Sequence, residues 1–234
     1  SGWCFRTARD GIESRSESAM MQWSYDTLLK WGTDELTAHS VDNASVDAWY
    51  LLEHIYGISR VDFLIRRNDP FDEVQMKQSA DYQALIHRRS EGYPVQYLTG
   101  STEFMGLPFL VNESVLIPRQ DTEVLVETAL AMMKPECRLL DMCTGSGCIP
   151  ISLKLRNPQI VIEGADISEE ALKVAEKNAK KLGVSVKWIQ TDMFENITGT
   201  FDMITSNPPY IPTKVIEELE AEVRLHDPYE ALDG

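Results

Sequence analysis

Residues 138–206 repeat one pattern that leaves few folds open: a short apolar run, a break, a helical run, then another short apolar run. Residues 138–142 read as a strand; Thr144-Gly145-Ser146-Gly147 breaks it before a helix through about residue 155. Pro150 falls in that helix's first turn, where proline is tolerated. Residues 160–165 read as a second strand, ending at Asp166. Ser168 is placed to cap the following helix, with Glu169 and Glu170 in its positive first turn and Gly183 after its end. Residues 184–189 and 201–206 supply a third and a fourth strand. Strands alternating with helices predict a parallel α/β sheet. Open sheets of this kind bind ligands beyond the carboxyl ends of their strands. Gly145 and Gly147, Asp166, Asp192 and Asn207 follow the four strands in order, all at such ends.

Upstream the period is helical. Leu28, Leu29 and Leu36 share one expected helix; Trp49, Leu51, Leu52 and Ile55 share a second, stopped by Gly57. Val61, Phe63, Leu64 and Ile65 suggest a short third helix, and Val74, Tyr82, Leu85 and Ile86 a longer fourth after Pro70. Their aromatic and leucine positions are expected in the core of a small bundle. Between residues 92 and 115, glycines and prolines separate short β-prone runs such as Tyr97-Leu98-Thr99 and Pro108-Phe109-Leu110-Val111, which predicts a hairpin linker. Asp121 or Thr122 is the expected N-cap of the next helix.

The glycine loop lets the backbone turn sharply and a ligand approach closely. Pro150 stands where a dinucleotide fingerprint would want its third glycine, which argues against a pyrophosphate on the helix. A nucleoside without phosphates, S-adenosylmethionine, fits better. Asp166 is then the acceptor for both ribose hydroxyls and Asp192 for the adenine amino group, with Met193 and Phe194 as apolar cover. Each carboxylate alone also fits a helix cap or a solvated loop acid. Asn207-Pro208-Pro209-Tyr210 closes the series. A planar amide or aniline-type nitrogen is a poor nucleophile because its lone pair is delocalised. Asn207 offers a side-chain carbonyl, Pro208 a backbone carbonyl and Tyr210 a ring, while Pro208 and Pro209 stiffen the backbone. A strand-terminating turn is the competing account.

The formal net charge is −15. Such a surface repels phosphates, and the basic clusters Arg66-Arg67, His87-Arg88-Arg89 and Lys180-Lys181 are short, so direct nucleic-acid binding is not expected. Cys4, Cys137, Cys143 and Cys148 form no C-x-x-C pair and have no histidines at zinc spacing; a reduced intracellular protein and no metal are expected. No apolar stretch is long enough to span a bilayer. Residues 1–21 have no apolar segment of a secretory signal and read as a non-native or disordered leader.

At this point the chain resembles the HemK/PrmC group of protein-glutamine N5-methyltransferases. The resemblance is carried by Gly92-Tyr93-Pro94-Val95-Gln96-Tyr97, by Leu116-Ile117-Pro118-Arg119-Gln120-Asp121-Thr122-Glu123, by the glycine loop and by Asn207-Pro208-Pro209-Tyr210. It implies a Rossmann-like S-adenosylmethionine-dependent methyltransferase fold, preceded by a small helical-bundle domain and a β-hairpin linker. The division expected is a helical substrate-recognition domain over 22–91, the linker over 92–116 and the methyltransferase domain over 117–234. Cys143, Thr144, Gly145, Ser146, Gly147, Asp166, Met193 and Asn207 would line the cofactor site, and Asn207, Pro208, Pro209 and Tyr210 would hold the substrate amide. The implied reaction is in-line methyl transfer to the glutamine of the Gly-Gly-Gln motif of class 1 peptide-chain release factors, by a cytoplasmic monomer. Two residues depart from the group's pattern: Cys143 stands at a place often held by glycine, Met193 at one where tryptophan occurs. Because the group continues beyond the position of Gly234, the chain reads as C-terminally truncated, with residues 217–225 and Tyr229-Glu230-Ala231-Leu232 as the start of the remainder. Rival expectations are a ribosomal-protein glutamine as substrate, adenine-N6 methylation of nucleic acid, and a binding module without activity.

Overall fold

The computed structural model describes residues 22–217 and 221–234. The expected leader over 1–21, with Cys4, lies outside the described residues, as do 218–220 of the C-terminal segment. Two helix-rich parts flank a hairpin. The first contains α1 (Tyr25–Ala38), α2 (Ala44–Tyr56), α3 (Arg60–Arg66), α4 (Glu73–Ser90) and the short α5 (Val95–Thr99). The hairpin pairs β1 (Ser101–Phe104) with β2 (Leu107–Leu110). Then come α6 (Asp121–Met132), β3 (Arg138–Met142), α7 (Cys148–Arg156), β4 (Val161–Asp166), α8 (Glu169–Leu182), β5 (Lys187–Gln190) and β6 (Met203–Ser206). Two short helices, α9 (Thr213–Ile216) and α10 (Ala221–His226), follow.

The parallel sheet has the order β5-β4-β3-β6. The chain moves outward from β3 through β4 to β5, then returns to pair β6 with the other side of β3. That reversal opens a crevice at the carboxyl ends of β3 and β6, the place where such sheets take ligands. Leu139 and Leu140 of β3 are fully buried, and α7 buries Ile149, Ile151 and Leu153 against the sheet's core. On α8 the buried stripe runs through Ala171, Leu172, Val174, Ala175, Asn178 and Ala179. Its ends are those expected: the Ser168 hydroxyl accepts from the Ala171 amide at 3.2 Å, and Gly183 closes the helix at φ +71°.

In the bundle, Leu28, Leu36, Trp49, Leu51, Leu52, Tyr82 and Ile86 form the core, as their spacing predicts. The third helix departs from it. Only Phe63 packs inward, edge-on to Trp49 at 5.2 Å, while Val61, Leu64 and Ile65 stand 66, 69 and 74% exposed. A helix of seven residues presents one side to its neighbours, and a run apolar on every side cannot all be buried.

Tyr97-Leu98-Thr99 is helical, not β. Pro94 precedes the turn, Gly100 ends it at φ +71°, and the Thr99 hydroxyl donates to the Val95 carbonyl at 3.0 Å. Val95 and Leu98 thereby join the bundle core. The third and fourth main strands are shorter than their apolar runs, starting at Lys187 and Met203. Neither Asp121 nor Thr122 caps α6: the cap position is Gln120, without a side-chain bond, and Asp121 is the first helical residue. The buried hydroxyl of Thr122 is used elsewhere.

Candidate active site

After Met142 the backbone enters the left-handed region three times, at Cys143 (φ +56°), Gly145 (+54°) and Gly147 (+76°). Cys143 is the costly one, since its Cβ crowds the backbone there. The loop is held from beneath. Asp141, 0% exposed on β3, accepts the hydroxyls of Thr144 at 2.6 Å and Thr205 at 2.7 Å, tying the loop to β6. Burial pushes the Asp141 carboxyl up to about 7, with the two hydroxyls opposing that rise and the charge of Asp166 adding to it. From α8, the Asn178 amide accepts from the Leu110 amide and donates to the carbonyls of Leu110 and Ser146. It joins the hairpin to the loop.

Asp166, at the tip of β4, pins the loop from the other side. One carboxylate oxygen accepts from the Gly145 amide at 2.8 Å and the other from the Ser168 amide at 3.0 Å. Each oxygen retains a lone pair, so both can still accept a diol hydroxyl. Burial and the nearby Asp166 raise the Cys143 thiol, and burial carries Cys148 up to about 12. Both remain thiols at neutral pH, so neither is an activated nucleophile.

Over these strand tips lies a cavity of about 800 Å³. Cys143, Thr144, Gly145, Ser146, Asp166, Asp192, Met193, Asn207, Pro208 and Pro209 all line it. Gly147 and Phe194 are not among the lining residues. Gly147 serves packing: a Cβ there would meet Trp188 Cη2 at 2.9 Å and Ala175 Cβ at 3.0 Å. Phe194 is exposed, and its expected place as apolar cover is taken by Ile167 beside Met193, both more than half exposed at the cavity. Thr191 holds the turn that carries Met193, accepting from the Asn196 amide at 3.0 Å and donating to the Met193 carbonyl.

Two walls were not anticipated from the sequence. One runs from Ser114 to Thr122; the other is Pro228–Ala231 with Asp233. The second is strapped across the site. Asp227 accepts from Arg119 Nη2 at 2.6 Å and from the Tyr97 hydroxyl at 2.8 Å, while the Ile211 amide donates to the Leu232 carbonyl at 3.0 Å. Gly234 lies against the backbone of Pro209, where a side chain would collide.

Asn207-Pro208-Pro209-Tyr210 leaves β6 at the rim, where the Ser206 hydroxyl donates to the Met142 carbonyl at 3.1 Å. Asn207 and Pro208 also line a second cavity of about 370 Å³, together with Tyr210, Ile211 and Leu125. Tyr210 is 75% exposed, so its ring is available to an arriving chain. Asn207 Nδ2 donates to Thr122 Oγ1 at 3.3 Å, and Asn207 Oδ1 has no partner among the described residues. Its carbonyl is free to accept from a ligand where the two cavities meet.

Residues 27–100 match the family described as PrmC N-terminal domain, and residues 120–226 the family described as methyltransferase small domain. The chain is 38% identical over 213 residues to the release factor glutamine methyltransferase of Geobacter sulfurreducens, covering 91% of this chain and 74% of that one. It is 42% identical over 207 residues to that of Agrobacterium fabrum, covering 85% and 71%. With the Salmonella typhimurium protein of the same name the identity is 40% over 194 residues, covering 82% and 69%.

Proposed function

The chain belongs to the release factor glutamine methyltransferase family, and from that premise we propose that it methylates the side-chain amide nitrogen of the glutamine in the Gly-Gly-Gln motif of class 1 release factors, using S-adenosylmethionine. The observation that carries this is the meeting of a nucleoside-sized cavity, at one rim, with the Asn207 side-chain carbonyl, which has no partner among the described residues.

The residues present fit the cofactor. The cavity's volume suits a small ligand, Asp166 keeps lone pairs for a ribose diol, and Ile167 and Met193 offer apolar faces for a base. When bound, the cofactor supplies the methyl group on its sulfonium, the carbon–sulfur electron pair going to sulfur as nitrogen–carbon bonding develops. The chain's own residues prepare the nitrogen. Asn207 Oδ1 and the Pro208 carbonyl accept its two N–H bonds, which raises electron density on nitrogen and fixes its lone pair along the line of attack. The ring of Tyr210 covers the amide plane. The proton surplus after transfer leaves through one of these hydrogen bonds to water at the open rim.

Among the described residues no helix is long and apolar enough to cross a membrane. A monomer acting in the cytoplasm on release factor is the assembly and setting proposed here. The charge of −15 favours a protein substrate over an oligonucleotide.

Methyl transfer to purified release factor, to ribosomal proteins and to adenine-containing oligonucleotides, run in parallel, tests the substrate. Release factor alone is expected to be modified; modification of oligonucleotide or of a ribosomal protein instead would overturn the proposal. Asn207→Ala is expected to lower turnover by about two to three orders of magnitude, the scale for a lost transition-state hydrogen bond, with a smaller effect on cofactor affinity. Asp166→Ala is expected to act mainly on cofactor affinity, and an unchanged calorimetric Kd would contradict its role.

A further inference from the structure

Asn207 must present one particular end of its amide to do this work. The two ends are chemical opposites: Oδ1 accepts hydrogen bonds, while Nδ2 carries two donors. A rotation of the amide by half a turn would set donors against the substrate's own N–H groups. Nothing within Asn207-Pro208-Pro209-Tyr210 prevents that rotation: Asn207 is partly exposed, and its amide makes one hydrogen bond among the described residues.

That bond runs to Thr122 Oγ1 at 3.3 Å. Thr122 is held more firmly than its partner. It is buried, lies in the first turn of α6, and its amide donates to the Arg119 carbonyl at 3.0 Å. As a β-branched residue in a helix it has few side-chain rotamers to choose from. Its hydroxyl does not cap the helix and bonds no other described residue. Thr122 and Asn207 both line both cavities, so their bond stands on the wall between the cofactor cavity and the outer one.

We propose that Thr122 is a positioning residue for the transfer: its hydroxyl receives Asn207 Nδ2 and so anchors the side-chain amide at the wall, in the orientation that leaves Oδ1 to the substrate nitrogen. The proposal rests on the reading of Asn207 given above. Thr122 touches neither reacting atom and acts only through Asn207. Thr122 and the substrate act together: the hydroxyl can bond either end of the amide, and only with Nδ2 on Thr122 does Oδ1 also receive a substrate N–H.

The test uses Thr122→Val, which keeps the branched shape without the hydroxyl, and Thr122→Ser, which keeps the hydroxyl. Steady-state methyl transfer to release factor, cofactor titration by calorimetry and thermal melting are measured on each. Thr122→Val is expected to lower kcat by about 10-fold, the rate equivalent of one modest hydrogen bond, with cofactor Kd and Tm close to wild type. Thr122→Ser is expected to restore most of kcat. Wild-type kcat in Thr122→Val would overturn the proposal. So would a Thr122→Ser loss as deep as that of Thr122→Val, which would assign the effect to packing of the methyl group.

A readout independent of the substrate is the side-chain NH2 pair of Asn207 in a ¹⁵N-correlated NMR spectrum, assigned by its absence in Asn207→Asp. The pair is expected at similar shifts in wild type and Thr122→Ser, and displaced toward those of a solvated Asn amide in Thr122→Val. An unchanged pair in Thr122→Val would overturn the proposal even where release factor is not the substrate. Absent methylation by wild type would instead count against the proposed function alone.

Discussion

Asp141 carries an unusual electrostatic burden for a residue that touches no ligand. Its carboxyl is pushed up to about 7 by burial, so the folded protein holds a proton there that the unfolded chain releases near pH 4. The folded state therefore binds more protons than the unfolded one between those values, and this contribution to stability is full at low pH and lost as pH rises through about 7. Asp141→Asn should remove that slope: in urea titrations, the difference in stability between wild type and variant should shift in the wild type's disfavour from pH 5 to pH 8. A difference independent of pH would contradict the assignment. Asp141 stood in plain view beside the glycine loop, yet no spacing rule shows that Thr144 and Thr205 converge on it. Thr205 belongs to another strand, and only the β3–β6 register brings it there. Asn178 was hidden for the same reason, as one polar residue in a helix otherwise charged outside and small inside. Asp166, Asp192 and Asn207 were legible because strand tips can be counted along a chain.

At the level of elements, the cradle depends on β4 and α7 coming close to Trp188. Gly164 on β4 and Gly147 at the start of α7 both face that indole, and a Cβ on Gly164 would collide with the ring and meet Thr144 Oγ1 at 3.2 Å. Gly164→Ala should cost about 1–3 kcal/mol, the usual penalty for overpacking, read as a lower denaturant midpoint; an unchanged midpoint would show that Trp188 moves aside freely. Glu163, one position earlier, sits buried between Arg138 on β3 and Lys187 on β5, at 2.6 and 2.9 Å. Burial raises its carboxyl, but the two cations outweigh it and hold the group below the usual range. Glu163→Ala should therefore destabilise the sheet by about 1–3 kcal/mol, less than an enclosed pair would, because both cations can reach water. Main-sheet strands and long helices were readable from period and caps. The exceptions, α5 and the outward side of α3, arose where flanking Pro94 and Gly100, or the number of neighbours available, overrode an apolar run.

Across the whole molecule, the cavity over the strand tips is closed by segments far apart in sequence. Tyr93 stacks on His226 with ring centroids 3.9 Å apart, and Tyr97 and Arg119 converge on Asp227. Burial and the charge of Asp227 push the Tyr97 hydroxyl far above its usual range, so it stays protonated, its single O–H shared between the Asp227 carboxylate and the Val115 carbonyl. Tyr97→Phe removes both bonds and should weaken cofactor binding several-fold by loosening the Pro228–Ala231 wall, on the scale of about 1 kcal/mol for one net hydrogen bond; an unchanged calorimetric Kd would contradict that coupling. This closure was the least legible part of the site, since it joins a linker to a terminal segment through groups with no periodic signature. The central claim is that all these parts serve one transfer, to a release-factor glutamine lying on Asn207. Tandem mass spectrometry of release factor incubated with the protein and S-adenosylmethionine tests it most directly: one added methyl on the glutamine of Gly-Gly-Gln with wild type, and its near-disappearance with Asn207→Ala, are the predicted results. A methyl on any other residue, or undiminished modification by Asn207→Ala, would contradict the account.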